Sequence, residues 1–207
     1  MSGPRLGILI SGRGSNMLAL LDAIEEGRLA ATPALVLSNE PRAAGLAAAA
    51  ARGVPTRTID HRGFRGDRPG FDAAVDGALQ EAGIEAAACA GFMRIMTERL
   101  IAPWAGRMIN IHPSLLPAFQ GLDTHARALA AGCVVHGCTV HEVTLALDAG
   151  PILGQAALAV REGETAEALA ARVLRLEHRL YPAVLQGWLT DPVAARRSPF
   201  AILDPDD

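Results

Sequence analysis

The sequence predicts an open, doubly wound α/β fold: a mostly parallel sheet with helices on both faces, in a single domain. Three observations carry that expectation. Half of the 207 residues are hydrophobic and 20% are charged, the balance of a compact globule and not of a disordered chain. The first half alternates short apolar runs of β type with helical patterns, and short links of this kind join parallel strands through helices. The turn Ser11-Gly12-Arg13-Gly14-Ser15-Asn16 directly follows the first apolar run, at the strand end where such sheets hold ligands.

In chain order, residues 5–11 read as strand, 15–26 as helix, 34–38 as strand and 43–52 as helix. Residues 56–59 form a short strand, 71–82 a helix, 86–90 a buried strand, 98–101 a helical turn and 107–112 another strand. Right-handed crossovers then wind the sheet in both directions. After Pro113 the pattern changes. Residues 114–123 read as a Pro/Gly loop and 125–131 as a short helix; 136–145 and 152–160 are longer strands. A long amphipathic helix over 165–188 places Leu169, Val173, Leu176 and Leu180 near helical spacing. The expected division is one domain over 1–190 and a loosely held tail over 191–207.

Composition excludes several classes. No apolar run approaches the ~20 residues of a membrane span, and the first residues lack the pattern of a signal peptide, so a cytoplasmic location is expected. All 19 basic residues are Arg. Without lysine, Schiff-base, pyridoxal-phosphate and P-loop chemistry lose an essential amine. A net charge of -3 offers nucleic acid no general attraction. The cysteines Cys89, Cys133 and Cys138 form no disulfide framework. Cys133, His136, Cys138 and His141 imitate a metal cluster, but five strand steps at ~3.3 Å put the two histidines about 16 Å apart on opposite faces. One tetrahedral zinc does not bridge that distance, and no metal is expected.

Three places carry chemistry. In the SGRGSN turn, glycines expose backbone N–H groups and the helix N-terminus adds the positive end of its dipole, a seat for a phosphate. A plain glycine turn with Ser15 as N-cap explains the same residues. A dinucleotide fingerprint is incomplete, since Met17 stands where its third glycine belongs, although Glu40 supplies an acid beyond the second strand. In Asn110-Ile111-His112-Pro113, a period of two puts Asn110 and His112 on one face, and Pro113 ends the strand there. An amide donor beside an imidazole suits stabilisation of a developing oxyanion; a structural histidine fits the pattern equally well. Asp148, in Leu147-Asp148-Ala149-Gly150-Pro151, is either a turn former or a carboxylate that orients His112.

With these residues placed, the chain resembles the folate-dependent phosphoribosylglycinamide formyltransferases. The matching motifs are LISGRGSN, AGFMRIM, NIHPSLLP, HGCTVH, LDAGPI and LEHRLYP, in the family's order across roughly residues 5 to 188. The resemblance implies a Rossmann-like formyltransferase fold and transfer of the formyl group of 10-formyltetrahydrofolate to the amine of phosphoribosylglycinamide, with folate as co-substrate. It implies Asn110, His112 and Asp148 as the catalytic trio. Gly14, Ser15 and Asn16 then hold the substrate phosphate, and Glu177 lies near the glycinamide amine. Arg68, Met93, Arg94, Ile95, Met96 and Asn110 fall to the folate. Asp123 stands where many relatives have His, and Pro69-Gly70 departs from the usual helix start after Arg68. The alternatives are a formyltetrahydrofolate hydrolase and a non-catalytic folate or nucleotide binder. The expected partners are the two small molecules, with no nucleic acid and no membrane.

Overall fold

The computed structural model describes residues 3–204, which gather into two compact units meeting in sequence at Asn110 and Ile111. The first unit begins with β1 (Arg5–Ile10), α1 (Ser15–Glu25), β2 (Thr32–Ser38), α2 (Ala44–Ala51) and β3 (Thr56–Thr58). A 3₁₀ turn (His61–Phe64), α3 (Arg68–Glu81), β4 (Ala86–Cys89), α4 (Glu98–Ile101), a second 3₁₀ turn (Ala102–Trp104) and β5 (Met108–His112) follow. The strands lie in the order β3-β2-β1-β4-β5, and their four pairings are parallel. The order reverses at β1, which runs beside both β2 and β4. Right-handed crossovers on the two sides of that point send helices to opposite faces, the double winding expected from the sequence. Buried strands make this possible: five of the six β1 residues and all four of β4 are buried.

One helix start differs from the expectation. The sequence places the third helix from Phe71, whereas α3 begins at Arg68. Asp67 is its N-cap and accepts from the Gly70 N–H at 2.9 Å. Pro69 falls in the first turn, where the missing N–H has no intrahelical partner to lose.

The second unit contains α5 (Thr124–Ala130), β6 (Val135–Glu142), β7 (Ile152–Ala159), α6 (Ala166–Thr190), α7 (Pro192–Arg197) and β8 (Phe200–Asp204). β6 and β7 are antiparallel, with a register shift between Val140 and His141. The strand therefore stops at Glu142 rather than running on to 145, and Leu145 and Leu147 project into solvent. α6 continues through Pro182 and buries Leu169, Val173, Leu176 and Leu180 completely.

The loose tail expected after residue 190 is instead structured. Asp191 caps α7 by accepting from the Val193 and Ala194 N–H groups, and β8 pairs in parallel with β7. Five residues are too few for a legible strand pattern, so the pairing surface left by β7 decides the matter. Arg196 of α7 donates to the Glu142 carboxylate at 2.7 Å, beside the Trp188 Nε1–H at 3.1 Å. Among the described residues, no helix is long and apolar enough to cross a membrane.

A buried ion pair fixes the start of α6. Both nearest contacts of Arg172 Nη1 are to Glu164, at 2.9 and 3.0 Å, and Nη2 donates to the Ala159 carbonyl. The side chains are 5% and 4% exposed. Burial alone pushes the Glu164 carboxyl up, but the Arg161 N–H and the Arg172 guanidinium outweigh it and hold the group below its ordinary value. Arg172→Ala strands that carboxylate, and a loss of about 3–5 kcal/mol is expected in urea unfolding at neutral pH. Because the Glu164 pKa is depressed by folding, the wild-type contribution is present above the unfolded carboxyl pKa and is lost as pH falls through the folded one, which narrows the gap to the variant in acid.

Candidate active site

In the first unit, the reversal of strand order puts two segments side by side at the carboxyl ends of β1 and β4. The first is the glycine turn. Gly14 sits at φ +74, a conformation that costs a side-chain-bearing residue about 1–2 kcal/mol, and it occupies the N-cap position of α1. Ser15 is thus the first helical residue and not the cap. No side chain caps this helix end, and the N-terminus of a helix favours an anion.

The second segment is 90–97. Its backbone is tied to the turn through Ser11, for which the sequence indicated no role beyond the turn itself. The Ser11 N–H donates to the Gly91 carbonyl at 3.0 Å, and the Met93 N–H donates to Ser11 Oγ at 2.7 Å. Ser11 Oγ in turn donates to Asn39 Oδ1 at 2.5 Å. At the other end, buried Asp72 accepts from the Thr97 N–H and Oγ1–H, at 2.5 and 2.7 Å. Held at both ends, the segment leaves Met93 68% and Ile95 57% exposed. Arg94 lies over the Phe71 ring, which stacks on Phe92. A fixed backbone edge beside exposed apolar side chains suits a flat heterocycle. Arg68 opens α3, and its side chain is exposed.

The second unit brings together an imidazole and a carboxylate. His112, the last residue of β5, is buried. Its Nε2 stands 3.0 Å from the Phe119 carbonyl and its Nδ1 3.4 Å from Asp148 Oδ2. A carbonyl only accepts, so Nε2 carries the hydrogen of its contact with Phe119. Asp148 is held at φ +49, accepts from the Gly121 N–H at 2.9 Å through Oδ2, and presents Oδ1 to His141 Nε2 at 3.7 Å. The sequence offered Asp148 as turn former or partner of His112; it is both. Asn110, two residues before His112 on β5, is half-buried.

The loop after His112 is pinned by side chains that carried no signal in the sequence reading. Thr139 Oγ1 donates to the Ser114 carbonyl at 2.7 Å and accepts from the Leu116 N–H at 3.0 Å. Gln155 Nε2 donates to the Leu116 carbonyl at 3.0 Å. Their common mark is a polar residue inside an otherwise apolar strand. Asp123 takes the N-cap position of α5 at φ +56 without a side-chain capping bond. Glu177 is buried on α6, and its charge joins burial in pushing the Cys138 thiol well above its ordinary value.

The imitation metal cluster has other partners. His136 lies 3.2 Å from His125 and edge-on to Phe119, whereas His141 faces Asp148. Among the described residues, no group of three His, Cys, Asp or Glu side chains is placed to hold a metal ion.

Comparison with known proteins identifies the family. The family model for formyl transferases matches residues 4–185. Phosphoribosylglycinamide formyltransferase of Escherichia coli is 39% identical over 184 residues, 89% of this chain and 86% of the relative. The chain belongs to the phosphoribosylglycinamide formyltransferase family. A human member of wider scope, the trifunctional purine biosynthetic protein adenosine-3, is 45% identical over 88% of this chain; the chain spans 18% of that protein's length. Among solved structures, glycinamide ribonucleotide transformylase 1 of Symbiobacterium toebii superimposes with a TM-score of 0.89 at 42% identity, covering 91% of this chain and 89% of that one. The family member from Brucella melitensis gives 0.85 at 48% identity, with 90% and 96% covered.

Burial pushes His136 from 6.5 down to about 4, with repulsion from His125 adding to it and the Pro113 carbonyl opposing. A histidine depressed by folding stays neutral in the native state while its unfolded form charges. Its contribution is therefore complete above about pH 6.5 and is lost as pH falls toward 4. Unfolding by urea across that window should show a steep loss for the wild type and a shallower one for His136→Gln.

Proposed function

We propose that this chain transfers the formyl group of 10-formyltetrahydrofolate to the amine of 5'-phosphoribosylglycinamide, giving formylglycinamide ribonucleotide and tetrahydrofolate, in the cytoplasm. The observation that carries the reading is the His112–Asp148 pair, an imidazole between two oxygen acceptors at the end of a strand that also bears Asn110.

The chemistry asks three things of the protein. The substrate amine attacks the formyl carbon, whose carbonyl becomes an oxyanion in the tetrahedral intermediate. The Asn110 amide donates to that oxygen, and the His112 imidazolium stabilises its charge. The bond from carbon to the folate nitrogen then breaks, and the proton lost by the attacking amine must reach that leaving nitrogen. Asp148 takes it and returns it, so neither residue is changed over the cycle.

Binding follows the same residue assignments. The uncapped α1 terminus at Gly14, Ser15 and Asn16 takes the ribose phosphate, and the Glu177 carboxylate pairs with the glycinamide amine. The 93–96 backbone, Asn110 and Arg68 take the folate, Arg68 through its charge. No metal has a role in this scheme, and neither nucleic acid nor a membrane is a partner.

The direct test is release of tetrahydrofolate with and without the ribonucleotide. Release that depends on the ribonucleotide and matches formyl transfer one for one supports the proposal. Equal release in its absence assigns water as the acceptor and makes the chain a hydrolase; no release leaves a binding protein.

Asp148→Asn separates charge from shape. Asn tolerates the left-handed conformation, so the turn survives while the carboxylate goes. Single-turnover rates with both ligands saturating should fall by ~10²–10⁴, with dissociation constants moving far less. A rate near wild type would reduce Asp148 to a turn residue.

A further inference from the structure

Ser11 opens the SGRGSN turn that leads into α1, and its place in the chain groups it with the phosphate residues. Its hydroxyl is engaged elsewhere. Oγ lies 2.7 Å from the Met93 nitrogen, and a backbone nitrogen only donates, so Oγ is the acceptor of that bond. The hydroxyl hydrogen then needs an acceptor of its own. It finds Asn39 Oδ1 at 2.5 Å, a length proper to O–H···O bonds and below the range of N–H···O bonds. The side-chain oxygen of Asn39 therefore faces Ser11, and its amide nitrogen does not.

A hydroxyl has one hydrogen to give. Ser11 gives it to Asn39, which is buried directly after the last residue of β2. A phosphate asks a side chain for a donor, and Ser11 has none left to offer. The bond it accepts points to the other ligand. Met93 begins the 93–96 edge, and among the described residues Arg94, Ile95 and Met96 neither give nor receive a backbone hydrogen bond. Their N–H and carbonyl groups stand open to a heterocycle. Where that open edge lies is set at its two ends, by Ser11 at Met93 and by Asp72 at Thr97.

We propose that Ser11 is a positioning residue for the folate and not a ligand of the phosphate. Its hydroxyl, oriented by Asn39, fixes the Met93 N–H and with it the edge that the folate meets. This rests on the formyl-transfer reading given above and on its assignment of the 93–96 backbone to the folate. One glycine turn then serves two ligands through different residues: Gly14, Ser15 and Asn16 for the phosphate, Ser11 for the folate.

The side-chain contribution is separable from the backbone one. The Ser11 N–H donates to the Gly91 carbonyl at 3.0 Å, a bond that any non-proline replacement keeps. Ser11→Ala thus removes the hydroxyl and leaves the turn its backbone tie. Calorimetry with tetrahydrofolate and, separately, with phosphoribosylglycinamide reads the two sites without turnover, since neither ligand carries a formyl group to transfer. The tetrahydrofolate dissociation constant should rise about 5- to 20-fold in Ser11→Ala, the effect of a lost hydrogen bond that leaves its donor unpaired. That for phosphoribosylglycinamide should stay within about twofold. In steady state the loss should fall on KM for 10-formyltetrahydrofolate, with kcat little changed. Ser11→Thr keeps the hydroxyl and should recover the affinity.

Amide hydrogen exchange of the protein without ligands gives a readout independent of activity. The Met93 amide should exchange slowly in the wild type, fast in Ser11→Ala and slowly again in Ser11→Thr. The amide of residue 11, bonded to Gly91, should stay slow in all three. Unchanged tetrahydrofolate affinity in Ser11→Ala overturns the proposal, as does a loss of phosphoribosylglycinamide affinity equal to or larger than that for the folate. A Met93 amide that exchanges alike in wild type and Ser11→Ala, or a Ser11→Thr variant that protects Met93 yet binds tetrahydrofolate weakly, overturns it too. A wild type that binds tetrahydrofolate but transfers no formyl group fails the underlying reading alone.

Discussion

A carboxylate withdrawn from water is the constraint on which the loops of the second unit are built. The Asp148 side chain is only 10% exposed, and burying an unpartnered charge to that depth costs several kcal/mol. The Gly121 N–H and His112 supply the compensation, and each brings a requirement of its own. Gly121 must be delivered by the loop that leaves β5, which Thr139 and Gln155 pin through its backbone. The turn that presents Asp148 must close tightly against β6. A Cβ on Gly150 would lie 1.9 Å from the Glu142 carbonyl oxygen, so only glycine fits there.

That constraint also explains where the backbone is strained. Of the four non-glycine residues with positive φ among the described residues, Phe119, Asp123 and Asp148 belong to the two loops around this carboxylate. Phe119 is the least natural of them, since a bulky side chain gains nothing from the left-handed region. Its carbonyl is the oxygen that engages His112 Nε2. The strain is thus spent on aiming acceptors at one imidazole, the kind of site where strained backbone persists.

The legible parts of this protein were those that follow from period and punctuation. Alternation along β5 placed Asn110 and His112 on one face, Pro113 stopped the strand after them, and the glycines marked the turn before α1. What escaped was whatever depends on a partner far away in sequence. Ser11 reads as part of a glycine turn until its hydroxyl is seen joining Met93 to Asn39. Thr139 reads as an ordinary strand residue, and nothing near Phe119 announces its conformation. β8 is a strand because β7 offers it an edge, not because five residues insist on it. Pro69 misled about α3 for the opposite reason: a local breaker is harmless in a first turn capped by Asp67.

The same distance-dependence governs charge. Four imidazoles belong to the second unit near this carboxylate: His112, His125, His136 and His141. His125, His136 and His141 are all pushed down chiefly by burial, and in each the positive charge of His112 is a further cause. The four rings differ in the acceptors they meet. His125 and His136 have each other, nitrogen to nitrogen at 3.2 Å, an arrangement that needs one donor and one bare nitrogen and so favours neutrality. His141 has a carbonyl 2.9 Å from one nitrogen and an Asp148 oxygen 3.7 Å from the other. His112 has a carbonyl 3.0 Å from one nitrogen and, 3.4 Å from the other, the Asp148 oxygen that also receives an N–H. His112 is thus a ring set between two oxygens, and it stands at the end of the strand that also bears Asn110.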